Sequence, residues 1–248
     1  MSGVRILVVQ PSRSDPPGPL GEWLRGAGAE LDVVLPVEQD LPSLDSYDAL
    51  VVLGGEMGAY DDIDFPWLAD VRRMLSGAVA QQLPVLAICL GAQLLAAATG
   101  GQVRPIRKGP EVGTLLVAKR DVAAEDPLLG PLPLTPDVVQ FHNDEFSLPP
   151  SAQLLASSPK CDNQAFRLGE CAYGLQFHIE TTPEVVLEWA RTSPDMADAA
   201  RPGQLDADHL AEFHEDLADT WQPVAERFVR IVGTPPEERK ASRFLPLA

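Results

Sequence analysis

Residues 84–101 read PVLAICLGAQLLAAATGG. Pro84 to Ile88 form an unbroken apolar run of the kind needed by a strand covered on both faces, and the residues after Leu90 are an Ala- and Leu-rich run of helix formers. One cysteine, Cys89, stands at the junction, followed by Leu90 and Gly91. A strand that turns straight into a helix brings two backbones nearly into contact, so the flanking residues must be small. The side chain at the apex is pushed out above the sheet edge, in front of the first free N–H groups of the helix, where an anion is favoured. Strand, sharp turn, helix is the repeating unit of a parallel α/β sheet.

Outward from this unit the same alternation recurs. VRILVVQ (4–10), LDVVLP (31–36) and DALVVLGG (48–55) read as buried strands. PLGEWLRGAGAE (19–30) carries Leu20, Trp23, Leu24 and Ala27 at helical spacing, and a helix is predicted from Pro66 to Gln82. This rhythm predicts an α/β fold with a doubly wound, mainly parallel sheet and helices on both faces, in which ligands gather at the carboxyl ends of the strands. LGGEMGAYDD (53–62) and the Cys89 turn both lie at such ends. After residue 102, strand-like pieces at 113–120, 138–142, 152–158 and 163–178 are broken by Pro, Gly and Asp turns and predict antiparallel strands added to the core. Thr182 and Pro183 give an N-cap and first-turn signal, residues 191–203 read as a linker, and an amphipathic helix is predicted from Leu205 to Val232. The tail over 233–248 reads as poorly ordered. The expected organisation is one α/β domain over residues 1–192, then a helical C-terminal extension and tail over residues 193–248.

Composition narrows the function. A chain of 248 residues with 45% hydrophobic content can bury a sizeable core. Its 19 basic residues face 36 acidic ones, and the net charge of −17 argues against a nucleic-acid or anionic-membrane surface. The N-terminal apolar run, Ile6 to Val9, is too short for a signal-peptide core, and no segment approaches the roughly 20 apolar residues of a membrane span. The expected location is the cytoplasm. Cys89, Cys161 and Cys171 show no C-x-x-C spacing, so neither a disulfide framework nor a zinc site is indicated, and chemistry at cysteine would be nucleophilic.

The segment YGLQFHIETT (173–182) supplies what a nucleophilic thiol needs. Read as a strand, it alternates sides with period two, so His178 and Glu180 project to one face and the carboxylate can orient the imidazole. Thiol, imidazole and carboxylate are the parts of a Cys-His-acid triad. His-x-Glu alone equally suits a surface ion pair; joined to a cysteine on a strand-to-helix turn, it becomes specific.

GGEMGAYDD, PVLAICLGAQLLA, GPEVGTLLV and YGLQFHIETTPEVV, in this order, resemble the class I glutamine amidotransferase family, in particular its stand-alone members related to the amidotransferase domain of GMP synthase. The likeness covers roughly residues 5 to 190. It implies a flavodoxin-like catalytic domain in which Cys89 attacks a γ-carboxamide, His178 is general base and acid, and Glu180 completes the triad. It further implies an oxyanion hole from the N–H groups of Gly55 and Leu90, with Gly54 as an alternate. Gln93, His142 and Asn143 then match positions that hold the substrate, which is glutamine or another γ-glutamyl compound. A γ-glutamyl thioester is the implied intermediate, with no metal or organic cofactor.

Three positions depart from the family pattern. Ala87 replaces a glycine of the turn, Ile179 replaces the proline between His178 and Glu180, and FHNDEF (141–146) differs from the commoner W-H-G-D-x-F type. The leading expectation for function is a glutaminase that releases ammonia to a separate synthetase subunit. The alternatives are a self-contained γ-glutamyl hydrolase or peptidase, and a non-catalytic binding or regulatory protein with a vestigial triad. Elsewhere, Cys161 and Cys171 read as unreactive, and His209 and His214 as solvated or packed. The acidic stretch 60–65 reads as a solvated loop or the site mouth, and Trp23, Trp67, Trp189 and Trp221 as core packing.

Overall fold

In the computed structural model, residues 3–241 are described. The parallel core is built from β1 (Val4–Val9), α1 (Gly18–Gly26), β2 (Ala29–Val34), β3 (Ala49–Val52), α2 (Trp67–Ala80), β4 (Val85–Ile88) and α3 (Leu90–Ala98). Shorter strands follow: β5 (Val103–Pro105), β6 (Glu111–Leu116), β7 (Ala118–Lys119), β8 (Asp137–His142), β9 (Asp144–Phe146), β10 (Gln153–Ser157), β11 (Ala165–Leu168) and β12 (Ala172–Leu175). Helices α4 (Pro183–Thr192), α5 (Pro194–Ala197), α6 (Ala207–Gly233) and α7 (Pro236–Ala241) complete the chain.

Eight strands form one sheet in the order β2-β1-β3-β4-β12-β11-β10-β7. The first five are mutually parallel, and β11, β10 and β7 extend the sheet antiparallel. Two antiparallel pairs, β5 with β9 and β6 with β8, stand apart. Because strand side chains alternate, each central strand feeds two cores: Ile6, Val8, Leu86 and Ile88 pack on one face with α1 and α6, while Leu7, Val9, Val85 and Ala87 pack on the other with α2 and α3. The predicted doubly wound α/β architecture is the one observed. The order of the first strands reverses between β1 and β3, which is where ligands bind in sheets of this type.

The differences from the sequence reading have local causes. The first helix stops at Gly26 rather than residue 30, because Gly28 takes φ +98° and lets β2 begin at Ala29, opposite Val4. The run 163–178 is a hairpin turning at Gly169, φ +54°, and its second strand ends at Leu175. His178 and Glu180 therefore lie beyond the strand, not on it. The chain there leaves β11, to which Gln176 still donates at Gln164 O, and exchanges backbone hydrogen bonds between His178 and Val139 of β8. The linker contains the short helix α5, and part of the tail read as poorly ordered is the helix α7; residues 242–248 lie outside the described residues.

Candidate active site

Every group of the site sits at the carboxyl end of a parallel strand. The loop 10–17 follows β1, Gly54 and Gly55 follow β3, Cys89 follows β4, and His178 lies three residues past β12. Cys89 caps α3 with φ +49° and ψ −109°, a conformation that few non-glycine residues adopt. Its N–H donates to Leu175 O at 2.8 Å, and its carbonyl accepts from Gln93 N–H at 3.1 Å, so strand and helix hold the turn from both sides. Gly91 is obligatory, since a Cβ there would lie 2.2 Å from Val52 O. Ala87, by contrast, has its methyl accommodated in the core with α2 and α3.

The structure brings Cys89, His178 and Glu180 together. Gly54 sits between the first two: a Cβ built on it would lie 3.2 Å from His178 Cε1 and 3.6 Å from Cys89 Cβ. Glu180 Oε1 is 2.7 Å from His178 Nδ1, and Glu180 Oε2 accepts from the Ile179 N–H at 2.8 Å. The N–H that isoleucine restores where the family has proline thus fixes the carboxylate. All three side chains are buried. Burial by itself would push the His178 pKa down, but the Glu180 carboxylate and Cys89 overcome it and hold the imidazole well above its ordinary range.

Gln93 is buried one helical turn past Cys89, with its Nε2 donating to Gln176 Oε1 at 3.3 Å and Asp144 O at 3.4 Å; Gln176 Nε2 in turn lies 3.8 Å from Cys89 Sγ. His142 is buried, with Nδ1 2.9 Å from Asp144 O and Nε2 3.4 Å from Glu111 Oε2, whereas Asn143 is exposed on the rim. Gly55 and Leu90 adjoin one another, and among the described residues neither N–H has a protein acceptor. Cys89, His178, Gly55, Leu90, Gln93, His142 and Asn143 all line one cavity of about 600 Å³.

The family model for class I glutamine amidotransferases matches residues 21–188. The chain belongs to this family. Among class I glutamine amidotransferase relatives, it is 27% identical over 210 residues to gamma-glutamyl peptidase 4 of Arabidopsis thaliana, covering 81% of this chain and 79% of that one. It is 33% identical over 160 residues to the glutamine-hydrolysing subunit of GMP synthase from Sulfolobus acidocaldarius, covering 63% and 79%. The crystal structure of a glutamine amidotransferase from Thermotoga maritima superposes with a TM-score of 0.82 at 28% identity, covering 94% of this chain and all of that one.

Three residues of this amidotransferase site escape the sequence reading. Trp189 packs in the core as expected, yet it also lines the cavity and its ring centre lies 4.6 Å from that of His178. Asp15, in the loop after β1, is only 5% exposed and accepts the Trp189 Nε1–H at 2.7 Å. Gln176 bridges Gln93 to the thiol. The strand-end rule that singles out Gly55 and Cys89 applies equally to the loop after β1, and Gln176 stands two residues before His178 in an otherwise apolar segment.

The remaining side chains are structural. Cys161 and Cys171 are free and buried; burial pushes the Cys161 thiol up to about 12 and raises that of Cys171. His209 bonds Thr114 Oγ1 at 2.7 Å, and His214 bonds Thr181 Oγ1 at 3.0 Å, so both are packed. In the acidic loop, Asp62 pairs with Arg72, and Asp61 accepts the Gly58 N–H at 2.7 Å. Among the described residues, no three His, Cys, Asp or Glu side chains are grouped to hold a metal, and no helix is long and apolar enough to cross a membrane.

Proposed function

We propose that this chain hydrolyses γ-glutamyl amides on its own, with Cys89 as nucleophile, His178 as general base and acid, and Glu180 orienting the imidazole. The Cys89 thiolate adds to the γ-carbonyl carbon, and the N–H groups of Gly55 and Leu90 hold the resulting oxyanion. The His178 imidazolium gives its proton to the departing nitrogen, the C–N bond breaks, and a γ-glutamyl thioester remains. Water then loses a proton to His178 and attacks the thioester, the C–S bond breaks, and glutamate and the thiolate are released. Gln93, His142 and Asn143 belong, in this reading, to the wall that holds the glutamyl end.

The observation that carries the reading is the extent of the cavity. It runs from Cys89 and Gln93 on one side, past His178, to Thr192, Ser193 and Met196 of α4 and α5 on the other. Ammonia as leaving group needs none of that second wall, whereas an amine with a substituent does. A volume of about 600 Å³ is that of a pocket for a whole conjugate rather than for a small amide alone. The likeness to gamma-glutamyl peptidase 4 supports the same reading. The likeness to the glutamine-hydrolysing subunit of GMP synthase favours a second one, a glutaminase that passes ammonia to a separate synthetase.

Release of glutamate by the purified chain, offered glutamine and a panel of γ-glutamyl amides, separates the two. Turnover of substituted amides well above that of glutamine, lost in Cys89→Ala, is the expected result. Weak turnover of glutamine alone, raised by a synthetase, would favour the second reading, and turnover that survives Cys89→Ala would sink both.

A further inference from the structure

We infer that Asp15 is the anionic anchor for an ammonium group of the bound substrate, and so a specificity-determining residue of this site. The inference rests on the γ-glutamyl reading for the chemistry of the ligand. Asp15 lies in the loop after β1, at the point where the strand order reverses, and its side chain lines the same cavity as Cys89.

The residue is nearly inaccessible, at 5% exposure, yet only half of its carboxylate is used. Oδ1 accepts from the Trp189 indole; among the described residues no protein donor reaches Oδ2. Positioning one indole N–H requires only a neutral acceptor, so a carboxylate at this point has an unused lone-pair set and a charge in excess of its structural task. The charged groups that face it are His178, Glu180 and Glu56, of which one alone can be cationic. No Lys or Arg lines the cavity. Burial raises the Asp15 carboxyl to about 6, and the opposing influence of His178 does not cancel this. An ammonium group entering the cavity supplies both the missing donor and the missing positive charge.

A γ-glutamyl amide offers that ammonium from two places: the α-amino group of the glutamyl half, or a second amine on the leaving half. Binding calorimetry on the Cys89→Ala protein, which holds ligand without consuming it, distinguishes them. The ligands are L-glutamine, its analogue lacking the α-amino group, and γ-glutamyl amides of a diamine and of a neutral alkylamine of equal length. Asp15→Asn keeps the acceptor for Trp189 and removes the charge. It should weaken binding of the ammonium-bearing ligand about tenfold or more and leave the ligand without that ammonium unchanged.

A loss shared by glutamine and both amides, but absent for the des-amino analogue, assigns Asp15 to the α-ammonium. A loss confined to the diamine conjugate assigns it to the leaving group. Equal losses for all four ligands, no loss, or no binding by the Cys89→Ala protein would each overturn the anchor. Trp189→Phe keeps the aromatic ring and the carboxylate, so it must preserve the discrimination; losing it there would reduce Asp15 to a positioning residue. Wild-type turnover tests the hydrolase reading separately, because Asp15-dependent binding without turnover would remove that reading and leave the anchor standing.

Discussion

At the scale of single residues, the site is a balance between burial and charge. His178 is wholly enclosed, which disfavours its imidazolium, yet Glu180 at 2.7 Å and Cys89 reverse the preference. Replacing Glu180 with Gln removes the first of these influences while keeping a hydrogen-bond acceptor beside Nδ1. The His178 pKa, followed by NMR, should then fall, and kcat should drop by about 10²-fold or more as orientation and proton affinity are lost together. The linkage has a definite sign. A histidine whose folded pKa is raised stabilises the fold fully below its unfolded value of about 6.5, and the contribution disappears as pH rises through the folded value. The wild type should therefore exceed Glu180→Gln in Tm most at low pH, with the gap closing above neutrality; a gap that widens with pH would contradict this account. The triad was legible in the sequence because its members lie at strand ends with diagnostic neighbours: Gly91 after Cys89, and Glu180 two residues from His178. Asp15 and Trp189 were not singled out, because what joins them is a contact between residues 174 positions apart.

At the scale of elements, the β4–α3 junction decides whether the nucleophile is presented at all. The two backbones meet so closely that a Cβ at Gly91 would lie 2.2 Å from Val52 O and 2.8 Å from Val52 C, and neither backbone atom can rotate away. Gly91→Ala should lower stability by about 1–3 kcal/mol, the usual cost of overpacking, and should reduce activity further by displacing Cys89. A urea titration reads the first effect, and kcat measured under conditions where the variant is fully folded reads the second. An unchanged midpoint with unchanged kcat would mean that the turn has slack. Strand and helix types in the parallel half were readable from apolar runs and helical spacing. The stretch 173–182 was not: alternation correctly put His178 and Glu180 side by side, but the chain changes partner from β11 to β8 before His178. That exchange is set by β8, whose sequence gives no sign of what it will pair with beyond β6.

At the scale of the whole molecule, the helical extension expected over residues 193–248 contributes to the same core as the sheet. Leu210, Leu217, Trp221, Val224, Ala225, Phe228, Val229 and Val232 of α6 are buried in one cluster with Ile6, Val8, Leu20 and Leu24. Trp221 is fully enclosed, lies 5.3 Å from the Phe177 ring centre, and donates from Nε1 to Asp137 O at 2.8 Å. Phe177 precedes His178, and β8 carries the backbone bridge that positions it, so α6 supports the imidazole through two contacts from outside the cavity. Trp221→Ala should cost about 3–5 kcal/mol, with loss of activity tracking loss of fold rather than a change in KM. Truncation after residue 202 goes further, since it strips the cover from one face of the sheet and leaves an apolar patch that a soluble monomer does not tolerate. The truncated chain should aggregate or lose cooperative unfolding in a denaturant titration. If it instead unfolds cooperatively and keeps thiol-dependent turnover, α6 is a removable cover, and the support it gives to His178 through Phe177 and β8 is dispensable.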